Sequence, residues 1–132
     1  MEFVALITLL ALLQYFVFGF QVGQMRVRHG VKAPAMSGHP EFERMFRVQQ
    51  NTMEQLVMFV PALWICAYAG DPRWAAGIGV FFIVGRFIYK GAYVADPSKR
   101  GLGFATSVVS TAILIGWSLY GIGREIWSTY LS

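Results

Sequence analysis

Residues 41–55 read EFERMFRVQQNTMEQ. At 3.6 residues per turn, Arg47, Asn51 and Glu54 fall within about 60° of one another around a helix axis. A cation, an amide and a carboxylate on one stripe can hold a small molecule carrying charges of both signs. The residues that follow, as far as Ala69, are almost wholly apolar, so the stripe lies near the start of a membrane-length helix. Such a stripe cannot face lipid. An ionisable group at membrane depth costs about 2.5–3.5 kcal/mol on insertion scales and persists where it lines a cavity or meets a partner charge. The pattern predicts a polar ligand site inside a helix bundle.

A second set of polar residues occurs in the run GRFIYKGAY, residues 85–93. Arg86, Tyr89, Lys90 and Tyr93 share one helical face, which lines up two phenols and two cations. Taken alone, this is also the pattern of an interfacial aromatic belt with a snorkelling lysine. Beside the first stripe it offers further donors for a zwitterionic or anionic ligand. Arg100, after Pro97 and Lys99, places a fixed charge where the last apolar segment begins, or else serves only to set topology. Other chemistries lack their residues. Cys66 is the only cysteine and lies in apolar sequence, so it reads as packing; there is no intrachain disulfide and no cysteine metal site. His29 and His39 read as solvated loop residues without metal-ligand spacing, and no metal site is expected. Neither a P-loop nor a dinucleotide-binding glycine pattern occurs. The glycines at 77, 79, 85, 116, 121 and 123 are spaced for close helix approach, with packing between subunits as their simplest use.

The elements that must carry these residues are membrane helices. With 56% hydrophobic and 14% charged residues, the 132-residue chain is too apolar for a soluble domain of its size. Four segments, residues 3–22, 46–69, 74–93 and 102–120, are long enough to cross about 30 Å of hydrocarbon. The first lacks the basic start and small-residue cleavage site of a signal peptide and reads as a retained span. Connections are short, so the expected organisation is a single domain over residues 1–132, an all-α integral membrane four-helix bundle. The first connection, residues 23–45, is expected to be the longest, with Pro34, Gly38 and Pro40 keeping its middle from being helical. Gly70, Asp71 and Pro72 make a tight turn, and Asp96–Pro97 closes the third helix. Cations concentrate in the first connection and around residues 86–100, while the second connection holds only Asp71 and Arg73. By the positive-inside rule, both termini face away from the cytoplasm and the polar stripes lie near the cytoplasmic surface.

The first motif, Pro61, the glycine–arginine–tyrosine–tyrosine run ending at Tyr93, Arg100 and the VKAP stretch at residues 31–34 together resemble the membrane-associated proteins in eicosanoid and glutathione metabolism, the MAPEG family. The similarity spans essentially the whole chain and is strongest to the branch of microsomal glutathione transferases and leukotriene C synthases. The resemblance implies a homotrimer with glutathione as co-substrate, bound in clefts between neighbouring subunits. It implies glutathione contacts from Arg47, Asn51, Glu54, Tyr89 and Tyr93 of one subunit, and from Arg26 and Gln49 of its neighbour. Gln49 lies about 200° from Arg47 on the helix, which suits a different partner. Arg100 matches the arginine placed at the thiol and is the implied catalytic residue. The implied activity is conjugation of glutathione thiolate to lipophilic electrophiles reached through the bilayer, with glutathione-dependent lipid peroxidase activity as a related capacity. The membrane would be the inner membrane in a bacterium or the endoplasmic reticulum in a eukaryote. Gln55 and Val27 depart from the leukotriene-forming branch, which has tyrosine and a second arginine there, so the lipid acceptor stays open. Two other readings remain: a non-catalytic lipid-binding scaffold of the same family, and a small transporter outside it. A transporter needs a polar path through the whole bilayer, and residues 56–69 offer almost nothing hydrophilic.

Overall fold

The computed structural model describes all 132 residues as four long helices: α1 (Glu2–His29), α2 (Pro40–Ala69), α3 (Pro72–Ala95) and α4 (Gly101–Ile126). A 3₁₀ turn, Pro97–Lys99, joins α3 to α4, and a π-helical turn, Trp127–Leu131, ends the chain. All four helices are long and apolar enough to cross a membrane.

The helices overrun the apolar segments because polar helix formers continue them past the hydrocarbon. α1 runs on through Arg26 and Arg28, whose charges suit the negative end of a helix, and through His29, and stops only at Gly30. That glycine takes φ 66°, and its N–H returns to the Arg26 carbonyl. α2 begins at Pro40, with Glu41 and Glu43 in its first turn and the His39 ring accepting the Glu41 N–H. The connection expected over residues 23–45 therefore shrinks to residues 30–39. Asp71 caps α3 through the Arg73 N–H, and Asp96 accepts from the Ser98 N–H and hydroxyl at the next turn. These Ser98 hydrogen bonds hold the exposed Asp96 carboxyl below its usual range.

His29 and His39 are not independent loop residues. Their rings stack at 3.5 Å with an interplanar angle of 10°, and His29 Nε2 lies 3.0 Å from Glu41 Oε1. Arg28 Nη1 approaches the same carboxylate at 3.6 Å. Arg26 spans the connection, donating to the Ala35 carbonyl at 2.7 Å with its guanidinium over the Phe42 ring. The end of α1 is thereby clasped to the start of α2.

Only 31 of 132 residues are buried, and large apolar side chains such as Phe16, Phe20, Val57 and Leu119 are exposed. An outward-facing apolar surface on this scale is what lipid solvates. Inside are two apolar clusters. One, on α1, α2, α3 and α4, includes Val4, Phe59, Leu63, Phe82 and Leu114, with Phe59 and Phe82 stacked at 3.9 Å. The other, toward the clasp, includes Phe18, Val22, Phe42, Met45, Val48 and Tyr89. Between them along α2 and α3 lie Thr52 and Arg86, both fully buried.

Close approach of α4 to α3 depends on Gly103. A Cβ there would run into the backbone of Tyr89 and the Gly85 carbonyl. Of the glycines assigned to packing between subunits, 79, 85 and 121 instead make room for neighbours within the chain, whereas 77, 116 and 123 face open space. A single chain supplies those neighbours because its own helices cross at these points. Gly103→Ala should force α4 off α3 and cost about 1–3 kcal/mol of stability. Gly101→Ala, where a Cβ meets nothing within 4 Å, should be neutral or slightly stabilising. Thermal unfolding of the two variants in detergent checks the contrast; equal midpoints would remove Gly103 from its packing role. The clasp carries its own expectation: Glu41→Ala should speed amide hydrogen exchange over residues 30–39. Unchanged exchange would mean that the Arg26 bond alone holds the connection.

Candidate functional site

α2 is 30 residues long, and Glu54 lies about 21 Å along its axis from Pro40, roughly midway. Glu54 and Arg47 are nevertheless exposed on the single chain, with Asn51 half-buried between them. They line a polar cavity of about 260 Å³ together with Gln50, Tyr89, Tyr93 and Arg100. α2 supplies the mixed-charge wall and α3 the two phenols, whose rings stack at 5.4 Å. Arg100 comes from the residue that precedes α4, so the close packing at Gly103, one turn further on, sets where its backbone stands. None of Arg47, Glu54 and Arg100 has an ion-pair partner within the chain.

Six of the eight site residues that the family resemblance implies, Arg47, Asn51, Glu54, Tyr89, Tyr93 and Arg100, thus surround one cavity. Arg26 and Gln49 do not line it. Arg26 is bound to the Ala35 carbonyl, and Gln49 packs toward α1, where its Nε2 would sit 2.8 Å from a Cβ placed on Gly19. Gln50 was not foreseen, although its position was legible. It lies about 60° from Arg47 on the side nearer Glu54, so a stripe about 100° wide rather than 60° would have included it.

Arg86 requires a correction. The helical spacing placed it with Lys90 and the tyrosines on a face open to ligand, but it is fully buried behind the cavity wall, and Lys90 does not line the cavity. Its Nη1 donates to Asn51 Oδ1 at 2.6 Å and, more weakly, to Thr52 Oγ1 at 3.4 Å. Nε donates to Ser107 Oγ on α4 at 2.9 Å, and Ser107 passes its own hydrogen to the Gly103 carbonyl. The guanidinium also stands 4.4 Å from the centre of the Tyr89 ring. Only Nη2 is left without a partner. Rotation of α3 that buries Tyr89 between α2 and α4 necessarily carries Arg86 inward with it.

Chemically, the cavity offers two exposed guanidinium groups, one carboxylate, an amide pair and two phenols. The protein is therefore a four-helix membrane protein with a polar site on the flank of its bundle. Residues 4–120 match the family model described as the MAPEG family, and the chain belongs to that family. It is 43% identical over 118 residues to an uncharacterised protein of Synechocystis sp., covering 89% of this chain and 86% of that one. With human microsomal glutathione S-transferase 2 it shares 35% identity over 127 residues, 96% of this chain and 86% of the relative. With rat leukotriene C4 synthase it shares 35% over 96 residues, 73% of this chain and 64% of the relative.

Proposed function

We propose that the chain is a membrane-bound glutathione transferase that conjugates the glutathione thiolate to lipophilic electrophiles. The observation that carries this reading is the cavity in which Arg47, Asn51, Glu54, Tyr89, Tyr93 and Arg100 meet. Glutathione carries two carboxylates, one ammonium group and one thiol, and the cavity has a charged complement for the ammonium, for one carboxylate and for the thiol. Glu54 suits the ammonium group. Arg47 suits a carboxylate, Asn51 and the phenols supply neutral hydrogen bonds, and Arg100 stands ready for the sulfur. The family and the transferases among its relatives support the same assignment.

The exposure of Glu54 midway along a spanning helix supports assembly. A bare carboxylate there would face hydrocarbon, so it requires cover by ligand and by another subunit. In the proposed homotrimer a neighbouring subunit closes the cavity and brings its Arg26 and Gln49 to the ligand. By the positive-inside rule, the cation-rich connections support an orientation with this end of the bundle at the cytoplasmic face and both termini opposite. Glutathione arrives from water and the electrophile sideways from the bilayer.

The role of charge can be sized. A thiol with pKa near 8.5 is about 3% ionised at pH 7, and an arginine lowering it by about two units would make it roughly three-quarters thiolate. Availability rises about 25-fold, but a Brønsted slope of about 0.4–0.5 returns roughly 6- to 10-fold of that as lost nucleophilicity. Activation contributes a few-fold. The larger share must come from holding thiolate and electrophile together, where effective molarity acts.

Calorimetry of the purified protein with glutathione tests the reading: saturable heat is expected, reduced for Arg47→Ala, and its absence in the unaltered protein would refute the assignment. Glu54→Gln should weaken glutathione about tenfold or more, since the carboxylate partner of the ammonium is lost. Retained affinity with a lower unfolding temperature would make Glu54 a structural residue instead. Arg100→Ala should leave affinity within a few-fold while the ultraviolet thiolate absorbance of the complex disappears and turnover with chlorodinitrobenzene falls steeply. Arg100→Lys should recover part of both, because sulfur needs only a point charge. An unchanged thiolate signal in Arg100→Ala would remove Arg100 from the thiol.

A further inference from the structure

The amide of Asn51 has two faces of opposite character, and Arg86 decides which one a ligand meets. An arginine has five donors and no acceptor, so only the carbonyl oxygen of Asn51 can face it. The 2.6 Å contact from Nη1 to Oδ1 is therefore a fixed polarity and not a matter of amide assignment. The other end of the same amide, Nδ2, has no partner within the chain and is not buried, while Asn51 itself lines the cavity. Arg86 cannot swing away to release the amide. It is fully buried, tied to Ser107 on α4, brushed by Thr52 on α2 and stacked on Tyr89, which lines the cavity from the other side.

We propose that Arg86 is a positioning residue: it locks Asn51 as a hydrogen-bond donor toward the cavity, so that this point of the site accepts only a carboxylate or carbonyl oxygen of the ligand. The proposal rests on the glutathione reading for the identity of the ligand, not for the geometry. An asparagine free to rotate would greet donors and acceptors alike. One held through its oxygen discriminates against a ligand amine at that point, because two donors would then face each other without an acceptor. This leaves Glu54, one turn further along α2, as the acceptor the cavity presents to an ammonium group, and so fixes the direction in which a zwitterion lies along the helix.

The substitutions that test this differ in hydrogen-bond polarity at one position. Arg86→Lys keeps a donor-only partner for Oδ1, whereas Arg86→Gln offers donor and acceptor and lets the Asn51 amide turn over. Arg86→Met removes the partner, and buried charged groups exchanged for apolar ones of similar volume commonly leave proteins folded. Measured by calorimetry in detergent, Arg86→Lys should bind glutathione within about threefold of the unaltered protein, and Arg86→Gln and Arg86→Met about tenfold more weakly, the worth of one oriented hydrogen bond. Asn51→Ala should weaken binding by a similar factor alone and by nothing further on top of Arg86→Met. Independent losses that multiply would overturn the proposal, as would equal affinities for Arg86→Lys and Arg86→Gln.

A second cycle needs no ligand. Arg86→Met and Asn51→Ala should be coupled in the unfolding midpoint of the ligand-free protein, and strict additivity there would overturn the proposal whatever glutathione does. If the unaltered protein gives no glutathione heat while this coupling persists, the ligand assignment falls and the Arg86–Asn51 lock stands. Should the Arg86 variants fail to fold, Ser107→Ala, which loosens Arg86 without touching the cavity, takes their place: it should lower glutathione affinity and show the same loss of additivity with Asn51→Ala. Full affinity in Ser107→Ala, or losses that multiply with Asn51→Ala, would overturn the proposal.

Discussion

A guanidinium at bilayer depth, with no carboxylate in contact, holds together the three helices that build the site. Arg86 reaches Asn51 and Thr52 on α2, Ser107 on α4 and the ring of Tyr89 on its own helix. Water cannot solvate it there, so the protein must, and neutral oxygens and an aromatic face carry out that task. A buried cation with incomplete partners would be strongly destabilising, which makes the relative placement of α2, α3 and α4 sensitive to these few contacts. Gly103 belongs to the same arrangement. It lets α4 lie against the Tyr89 backbone, and its carbonyl accepts the hydroxyl hydrogen that leaves Ser107 free to receive Arg86.

The cavity is the outer face of this layer. Charges that the bundle has satisfied lie inside, and charges it has left unpaired, Arg47, Glu54 and Arg100, stand on the flank. The distinction separates structure from function. Arg86 is fully partnered except at Nη2 and has nothing to offer a ligand directly. Glu54 and Arg47 have no ion-pair partner within the chain that would offset a cost at membrane depth, which is why the proposed function gives them a ligand and a neighbour.

Much of this was readable from residue order. Helix number and identity follow from apolar run length, and the Arg47–Asn51–Glu54 stripe follows from the helical period, since three residues within one arc of one helix need no tertiary information. Limits arose where a second element decides. The 86, 89, 90 and 93 face fixes relative angles on α3 but not the rotation of α3 about its axis, so spacing alone leaves Arg86 free to point outward while the fold turns it in. Helix ends differ from the apolar segments because hydropathy marks where lipid stops, whereas α1 continues until Gly30 breaks it. The His29–His39–Glu41 clasp joins two helix ends across ten residues, which no periodicity reports.

In the proposed assembly, the unpaired charges of one chain are completed by a second chain around glutathione. Native mass measurement of the protein released from detergent in the presence of glutathione tests this most directly. Assemblies of three chains carrying up to three glutathione molecules are expected. A monomer, or a trimer that carries none, would contradict it.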